Sequence, residues 1–193
     1  MPDDYQHDVF FSYKRHDLTL NWTRQVSQRL QLWITEELGG TPAKIFVDEA
    51  SIEAGDQWPD SIRNALKQSR CMVCVWSPSY FQSSWCVSEW KSFLEREQML
   101  KIKAHGLIAP LKFHDGEHFP AEARNVEWVD VAPYAATVPA FWDSAKAIEL
   151  EEKLKSFAGS VAKIIKRAPA FRADWPIVES KGSQIPKIRL AKL

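Results

Sequence analysis

No excess of charge and no long apolar run mark this sequence of 193 residues, and both gaps remove classes of partner. Lys plus Arg and Asp plus Glu balance at 25 each, so no global field draws the chain to nucleic acid or to an acidic membrane surface. Nowhere do about 18 uninterrupted apolar residues occur, the length a membrane helix needs. The opening MPDDYQHD is acidic and lacks the basic start and apolar stretch of a secretory signal. The expectation is a soluble, cytoplasmic protein with neither nucleic acid nor membrane among its partners.

Cysteine is scarce as well. The three at 71, 74 and 86 are odd in number and lack framework spacing, which suits a reducing compartment. Cys71 and Cys74 spell C-x-x-C, but inside the strand-like run CMVCVW an odd spacing sends them to opposite faces, as small core residues. His114 and His118, in FHDGEH, have no companion ligand set, and a solvated loop explains the stretch, so no metal site is expected. Internal repeats and low-complexity tracts are missing too.

What is present is an alternation of strand and helix signals, in a length that fits one domain able to bury a sizeable core. HDVFFSY (7–13) is an apolar run ended by polar SYKRHD, a buried first strand. Trp22, Val26, Leu30 and Trp33 follow at helical spacing, and Gly39-Gly40 stops that helix. AKIFVD (43–48) predicts a second strand, EASIEAGDQWP a loop with Gly55 as its flexible point, and PDSIRNALKQS a helix with Ile62, Ala65 and Leu66 on one side. RCMVCVWS (70–77) is nearly continuous β-type sequence, as a central parallel strand requires, and PSYFQSS reads as its exit loop. Ser83 or Ser84 can cap the helix that carries Trp85 and Glu89. HGLIAPLKF (105–113) and NVEWVDV (125–131) predict two more strands, and Leu150, Leu154, Phe157, Val161 and Ile164 a last helix over 143–167. Its ELEE start and KIIKR end complement the helix dipole.

The reading is therefore α/β: a doubly wound, flavodoxin-like parallel sheet of five strands, with ligands expected at the strands' carboxyl ends. The domain is placed over 1–168. From Pro169 the pattern fails, and 169–193 reads as a disordered tail or a strap over the domain, alternatives the sequence leaves open.

Three motifs carry a family resemblance. DVFFSYKRHD resembles the first-strand box of TIR (Toll/interleukin-1 receptor) domains, KIFVDEASIEAGDQW their second strand and BB loop, and VWSPSYFQSSWCVSEW their third strand and following helix. The resemblance spans roughly residues 7–167, a domain of ordinary size, and implies the TIR fold. TIR domains divide into scaffolds that assemble signalling complexes and enzymes that cleave NAD+. The enzymes carry a catalytic glutamate in the helix after the third strand, where this sequence has Glu89, and the Trp85 to Glu89 spacing is similar to their W-x-x-x-E arrangement. By the same resemblance Phe11, Ser12, Tyr13, Lys14 and Arg15 line the cleft, with Ser12 near the substrate and Lys14 and Arg15 available to the diphosphate. Asp48, Glu53 and Gly55 shape the pocket and the contact with a neighbouring copy.

The chemistry asked of these residues is modest. Breaking the nicotinamide–ribose bond expels a neutral leaving group and leaves an oxocarbenium-like cation, so a fixed negative charge near the ribose matters more than a strong acid. Glu89 supplies that charge, at the first turn of its helix by the expected boundaries, and Trp85 one turn earlier offers an aromatic plane on the same face. Nine tryptophans raise the prospect of a stacking ligand, yet Trp58, Trp76 and Trp90 sit in patterns that read as core.

The resemblance implies an NAD+ glycohydrolase or ADP-ribosyl cyclase that takes NAD+ as substrate, needs no cofactor, and is active when copies assemble through the BB loop. The competing reading is a scaffold that binds other TIR domains through DEASIEAGDQW without chemistry. A phosphoacceptor receiver domain shares the sheet but wants acids where this first strand ends in SYKR, and a nucleoside deoxyribosyltransferase is a minor alternative. With no membrane span, leucine-rich repeat or nucleotide switch, the chain most resembles small bacterial TIR proteins of antiphage defence or host-directed effectors. Such a protein works beside a separate sensor or effector.

Overall fold

A computed structural model describes residues 4–47, 60–102 and 106–179. Five parallel strands form one sheet in the order β2-β1-β3-β4-β5. They are β1 (His7–Tyr13), β2 (Ile45–Val47), β3 (Ser69–Trp76), β4 (Ile108–Lys112) and β5 (Val129–Asp130). The helices are α1 (Asp17–Glu37), α2 (Asp60–Lys67), α3 (Pro78–Gln82), α4 (Ser84–Met99), α5 (Ala121–Arg124) and α6 (Ala145–Arg167). This is the five-stranded doubly wound sheet that the sequence predicts.

Strand parity builds two cores. Successive residues of a strand face opposite ways, so Val9 and Phe11 of β1 with Cys71, Val73 and Val75 of β3 enter the layer under α1 and α6. Phe10, Met72, Cys74 and Trp76 enter the layer under α2 and α4. Cys71 and Cys74 are accordingly free, fully buried and on opposite faces. α1 lays Trp22, Val26, Leu30 and Ile34 along the first layer at four-residue spacing, all buried. Each of the aliphatic members contributes roughly 1.5–3 kcal/mol of burial. The helix ends where glycine is needed: Gly39 and Gly40 have φ of 73° and 83°, and Gly40 N–H donates to Thr35 O at 2.9 Å.

Several boundaries differ from expectation. The stretch read as the exit loop of β3 contains α3, because Ser77 accepts from Tyr80 N at the N-cap and Pro78 fits the first helical position. β2 is three residues long, and the end of its predicted span, Asp48, lies outside the described residues. Residues Pro139–Asp143 form a 3-10 turn, so α6 begins at Ala145 rather than 143. In α6 the inward position falls on Ile165, and Ile164 is half-buried between the layers.

Residues 169–179 lie against α2 and α4. Trp175 is 2% exposed, Val178 N–H donates to Ser92 Oγ at 2.9 Å, and Glu179 pairs with Arg63 at 2.9 Å. Beneath the Trp175 ring, 4.7 Å away, is the guanidinium of Arg96, itself fully buried. Among the described residues no helix is long and apolar enough to cross a membrane.

Candidate active site

Glu89 is brought to the sheet by α4. Ser83 caps that helix, its hydroxyl accepting from Cys86 N, and the polar entry lets the chain turn sharply after α3. Glu89 falls in the second turn of α4, whose first turn holds no acid. This corrects the expected first-turn placement: the dipole's influence fades beyond the first turn, and a side-chain hydroxyl is among the groups that hold the carboxylate.

That group is Ser12, the penultimate residue of β1. Its hydroxyl donates to Glu89 Oε2 at 2.5 Å, and both side chains are buried, 2% and 7% exposed. Ser12 Oγ lies 2.9 Å from the Tyr80 hydroxyl. A serine hydroxyl has one proton, and Glu89 receives it, so Tyr80 is the donor to Ser12. Burial, with smaller contributions from Cys74, Cys86 and Glu89, pushes the Tyr80 phenol well above its ordinary range, which keeps that proton in place. The result is a directed chain from Tyr80 through Ser12 to the carboxylate.

Cys86, one turn before Glu89, is no nucleophile. Burial first and Glu89 second push its thiol up to about 12, so it stays protonated and donates weakly to Tyr13 O at 3.6 Å. Trp85 stands one turn before Glu89, half-buried, packed against the apolar layer under α2 and α4.

The other expected residues divide. Phe11 is 1% exposed with its side chain in the layer under α1 and α6, opposite to Ser12, so only its backbone remains near the site. Tyr13 is half-buried, and Lys14 and Arg15 are exposed on the loop from β1 to α1. Asp48, Glu53 and Gly55, with Trp58, lie outside the described residues. Trp76 and Trp90 are core. Tyr80 was missed by sequence reasoning, although Ser77-Pro78 is a helix-start signal that would have turned its side chain inward.

A cavity of about 430 Å³ opens at the carboxyl end of the sheet, bounded by Tyr13, Lys14 and His16, by Ser77 and Pro78, and by Phe113; Ser12, Trp85 and Glu89 are not among its lining residues. Among the described residues no group of three His, Cys, Asp or Glu converges on a metal position. His114 is exposed, and its Nδ1 meets Asp115 at 2.6 Å.

The doubly wound parallel sheet, with a hydroxyl-held carboxylate at its carboxyl edge, defines a flavodoxin-like α/β domain. The chain belongs to the TIR domain family, whose model matches residues 9–141. It is similar to the TMV resistance protein N of Nicotiana glutinosa, 26% identical over 121 residues covering 63% of this chain. The disease resistance protein RUN1 of Vitis rotundifolia is 25% identical over 114 residues, 59% of this chain. This chain spans only 9% and 8% of the length of those two proteins. The probable 2' cyclic ADP-D-ribose synthase BdTIR of Brachypodium distachyon is 24% identical over 162 residues, 81% of this chain and 68% of that one.

Among solved structures, the TIR domain of the Toll-related receptor TRR-2 of Hydra magnipapillata superposes with a TM-score of 0.42 at 19% identity, covering 76% of this chain and 99% of that one. The TIR domains of the activated Roq1 resistosome superpose at 0.41 and 17%, covering 83% and 84%.

Proposed function

We propose that this chain cleaves the nicotinamide–ribose bond of NAD+, as a glycohydrolase or ADP-ribosyl cyclase with Glu89 as the catalytic carboxylate. The observation that carries the reading is the Ser12–Glu89 pair: a buried acid held by a hydroxyl at the carboxyl end of the central strands. A relative matched over most of this chain bears the name of a probable cyclic ADP-ribose synthase, which supports the same chemistry.

In this mechanism the nicotinamide ribose lies against Glu89. As the C1'–N bond breaks, its electron pair leaves with neutral nicotinamide, and the cation at C1' is stabilised by the carboxylate in a site of low dielectric. A water adding to C1' gives ADP-ribose and releases one proton; an internal nucleophile of the same molecule gives a cyclic isomer and likewise releases one proton. Trp85 flanks the acid and governs which nucleophile arrives. NAD+ is substrate, and the mechanism calls on no cofactor.

The proposal extends to regulation. Activity rises when copies assemble through the BB loop segment containing Glu53 and Gly55, and the biological setting is bacterial antiphage signalling in the cytoplasm. A separate sensor or effector protein acts upstream or reads the product. These elements rest on the motif resemblance.

The test is direct. Concentrated protein is incubated with NAD+, the products are separated by chromatography with mass detection, and Glu89→Gln runs alongside. Nicotinamide release by the native chain alone supports the enzyme. NAD+ intact with both proteins at high concentration means either that an activating partner is required or that the chain is a scaffold working by TIR–TIR contact, and a search for bound proteins separates the two.

A further inference from the structure

We propose that Tyr80 is a positioning residue: acting through Ser12, its hydroxyl holds the Glu89 carboxylate in one orientation and in its ionised form. The consequence for catalysis rests on the NAD+ reading, and the positioning itself does not.

Three elements meet at this point. Ser12 of β1 pairs in register with Cys74 of β3, and strand parity turns both side chains toward the face that α3 and α4 cover. α4 brings Glu89 to that face, and α3 brings Tyr80, whose side chain is fully buried. The Tyr80 ring belongs to the apolar layer and meets Phe81 edge-on, with centroids 5.3 Å apart. Its hydroxyl is the one polar atom of the side chain, and the partner it finds in that layer is Ser12 Oγ at 2.9 Å.

Tyr80 also holds the helix that carries the acid. Its backbone carbonyl accepts from Ser83 N–H at 3.1 Å, and Ser83 is the N-cap of α4. One residue therefore ties α3 to the start of α4 through its backbone and to the end of β1 through its phenol.

The direction of the hydroxyl chain gives the phenol its effect. Ser12 spends its proton on Glu89, so its oxygen is open to a donor. Donation from Tyr80 polarises the Ser12 O–H and strengthens its bond to the carboxylate, as linked hydrogen bonds do in surroundings of low dielectric. A hydrogen bond given to the charged form of an acid favours that form. The thiols of Cys74 on β3 and Cys86 on α4 also act on Glu89, and burial keeps both protonated, while Lys14 from the loop after β1 acts on Cys86.

The experiment is a double-mutant cycle of Tyr80→Phe with Ser12→Ala, read in two ways. Phenylalanine keeps the ring and the backbone carbonyl and removes only the hydroxyl. In steady-state NAD+ cleavage, Tyr80→Phe should lower kcat about three- to tenfold with KM nearly unchanged. Where Ser12 is already alanine, the same change should move kcat by less than about twofold. The second reading needs no activity: in a carbon-13 NMR titration of the Glu89 carboxyl, assigned with Glu89→Gln, the midpoint should move up in Tyr80→Phe. It should stay in place when that change is made on Ser12→Ala. A packing role gives equal effects in both backgrounds, and that outcome overturns the proposal. NAD+ cleavage with kcat and midpoint both unmoved by Tyr80→Phe also overturns it and keeps the glycohydrolase reading. Where the native chain leaves NAD+ intact, the carboxyl titration decides: a raised midpoint keeps the positioning role, and an unmoved one removes it.

Discussion

Ser12 and Glu89 are 77 residues apart in sequence and joined by a 2.5 Å hydrogen bond at the carboxyl end of β1. The bond helps to fix the rotamer of the buried acid. Ser12→Ala should therefore lower kcat for NAD+ cleavage with KM nearly unchanged. A hydrogen bond to a charged group contributes about 1.5–3 kcal/mol, which corresponds to a loss of about ten- to a hundredfold. Steady-state kinetics checks it, and a rise in KM alone would mean that Ser12 binds substrate without orienting the acid.

Trp85 sits on the same helix face, one turn earlier. Removing its ring should change which nucleophile reaches the ribosyl cation, so Trp85→Ala should alter the ratio of ADP-ribose to cyclic product more than it alters total NAD+ loss. Product analysis by chromatography reads this directly. An unchanged ratio would restrict Trp85 to packing against the apolar layer.

The two examples show what could be read from the chain itself. The five strands, the layer assignment of Cys71 and Cys74 and the cap at Ser83 all follow from local pattern, because periodicity and capping are properties of neighbours in sequence. The place of Glu89 in the helix after β3 was legible through its motif. Phe11 and Ser12 were both assigned to the cleft, but strand parity turns adjacent side chains to opposite faces, and that rule was available to separate them. Tyr80 was hidden by reading SPSYFQ as a loop. The cavity was not legible: Tyr13, Ser77, Phe113 and Thr137 meet only because β1 and β3 are neighbours and their exit loops diverge.

Arg96 and Trp175 give a prediction about stability. The guanidinium donates to Ser69 O and Leu66 O, both at 2.9 Å, and lies under the indole. A desolvated cation–π contact contributes about 2 kcal/mol. In urea unfolding, Trp175→Ala and Arg96→Met should each destabilise, and their double mutant should show a coupling of about 1–2 kcal/mol. Simple additivity would mean that the strap is held by Val178 and Glu179 instead. Burial also pushes Arg96 down to about 10, from 12.5.

Glu97 and Gly106 supply the last test, at the start of β4. The Glu97 carboxylate accepts from Leu107 N and from Ile108 N, the latter at 3.2 Å, and so satisfies the first amides of the strand. A Cβ on Gly106 would collide with Glu97 Oε1. The carboxylate end is flexible in principle, but moving it breaks both bonds, so Gly106→Ala should cost about 1–3 kcal/mol. In a Glu97→Ala background most of that cost should vanish, because the collision is gone and the amides are already unpaired. An equal cost in both backgrounds would place the fault in the backbone of Gly106 itself. The pH dependence has a definite sign: burial raises the Glu97 pKa above 4.5 against the opposing pull of the two amides. Its contribution is therefore full below the unfolded value and is lost as pH rises through the folded one. Glu97→Gln keeps an acceptor oxygen and cannot ionise, so its stability relative to the native chain should improve as pH rises from about 4 to 7, followed by urea unfolding at each pH.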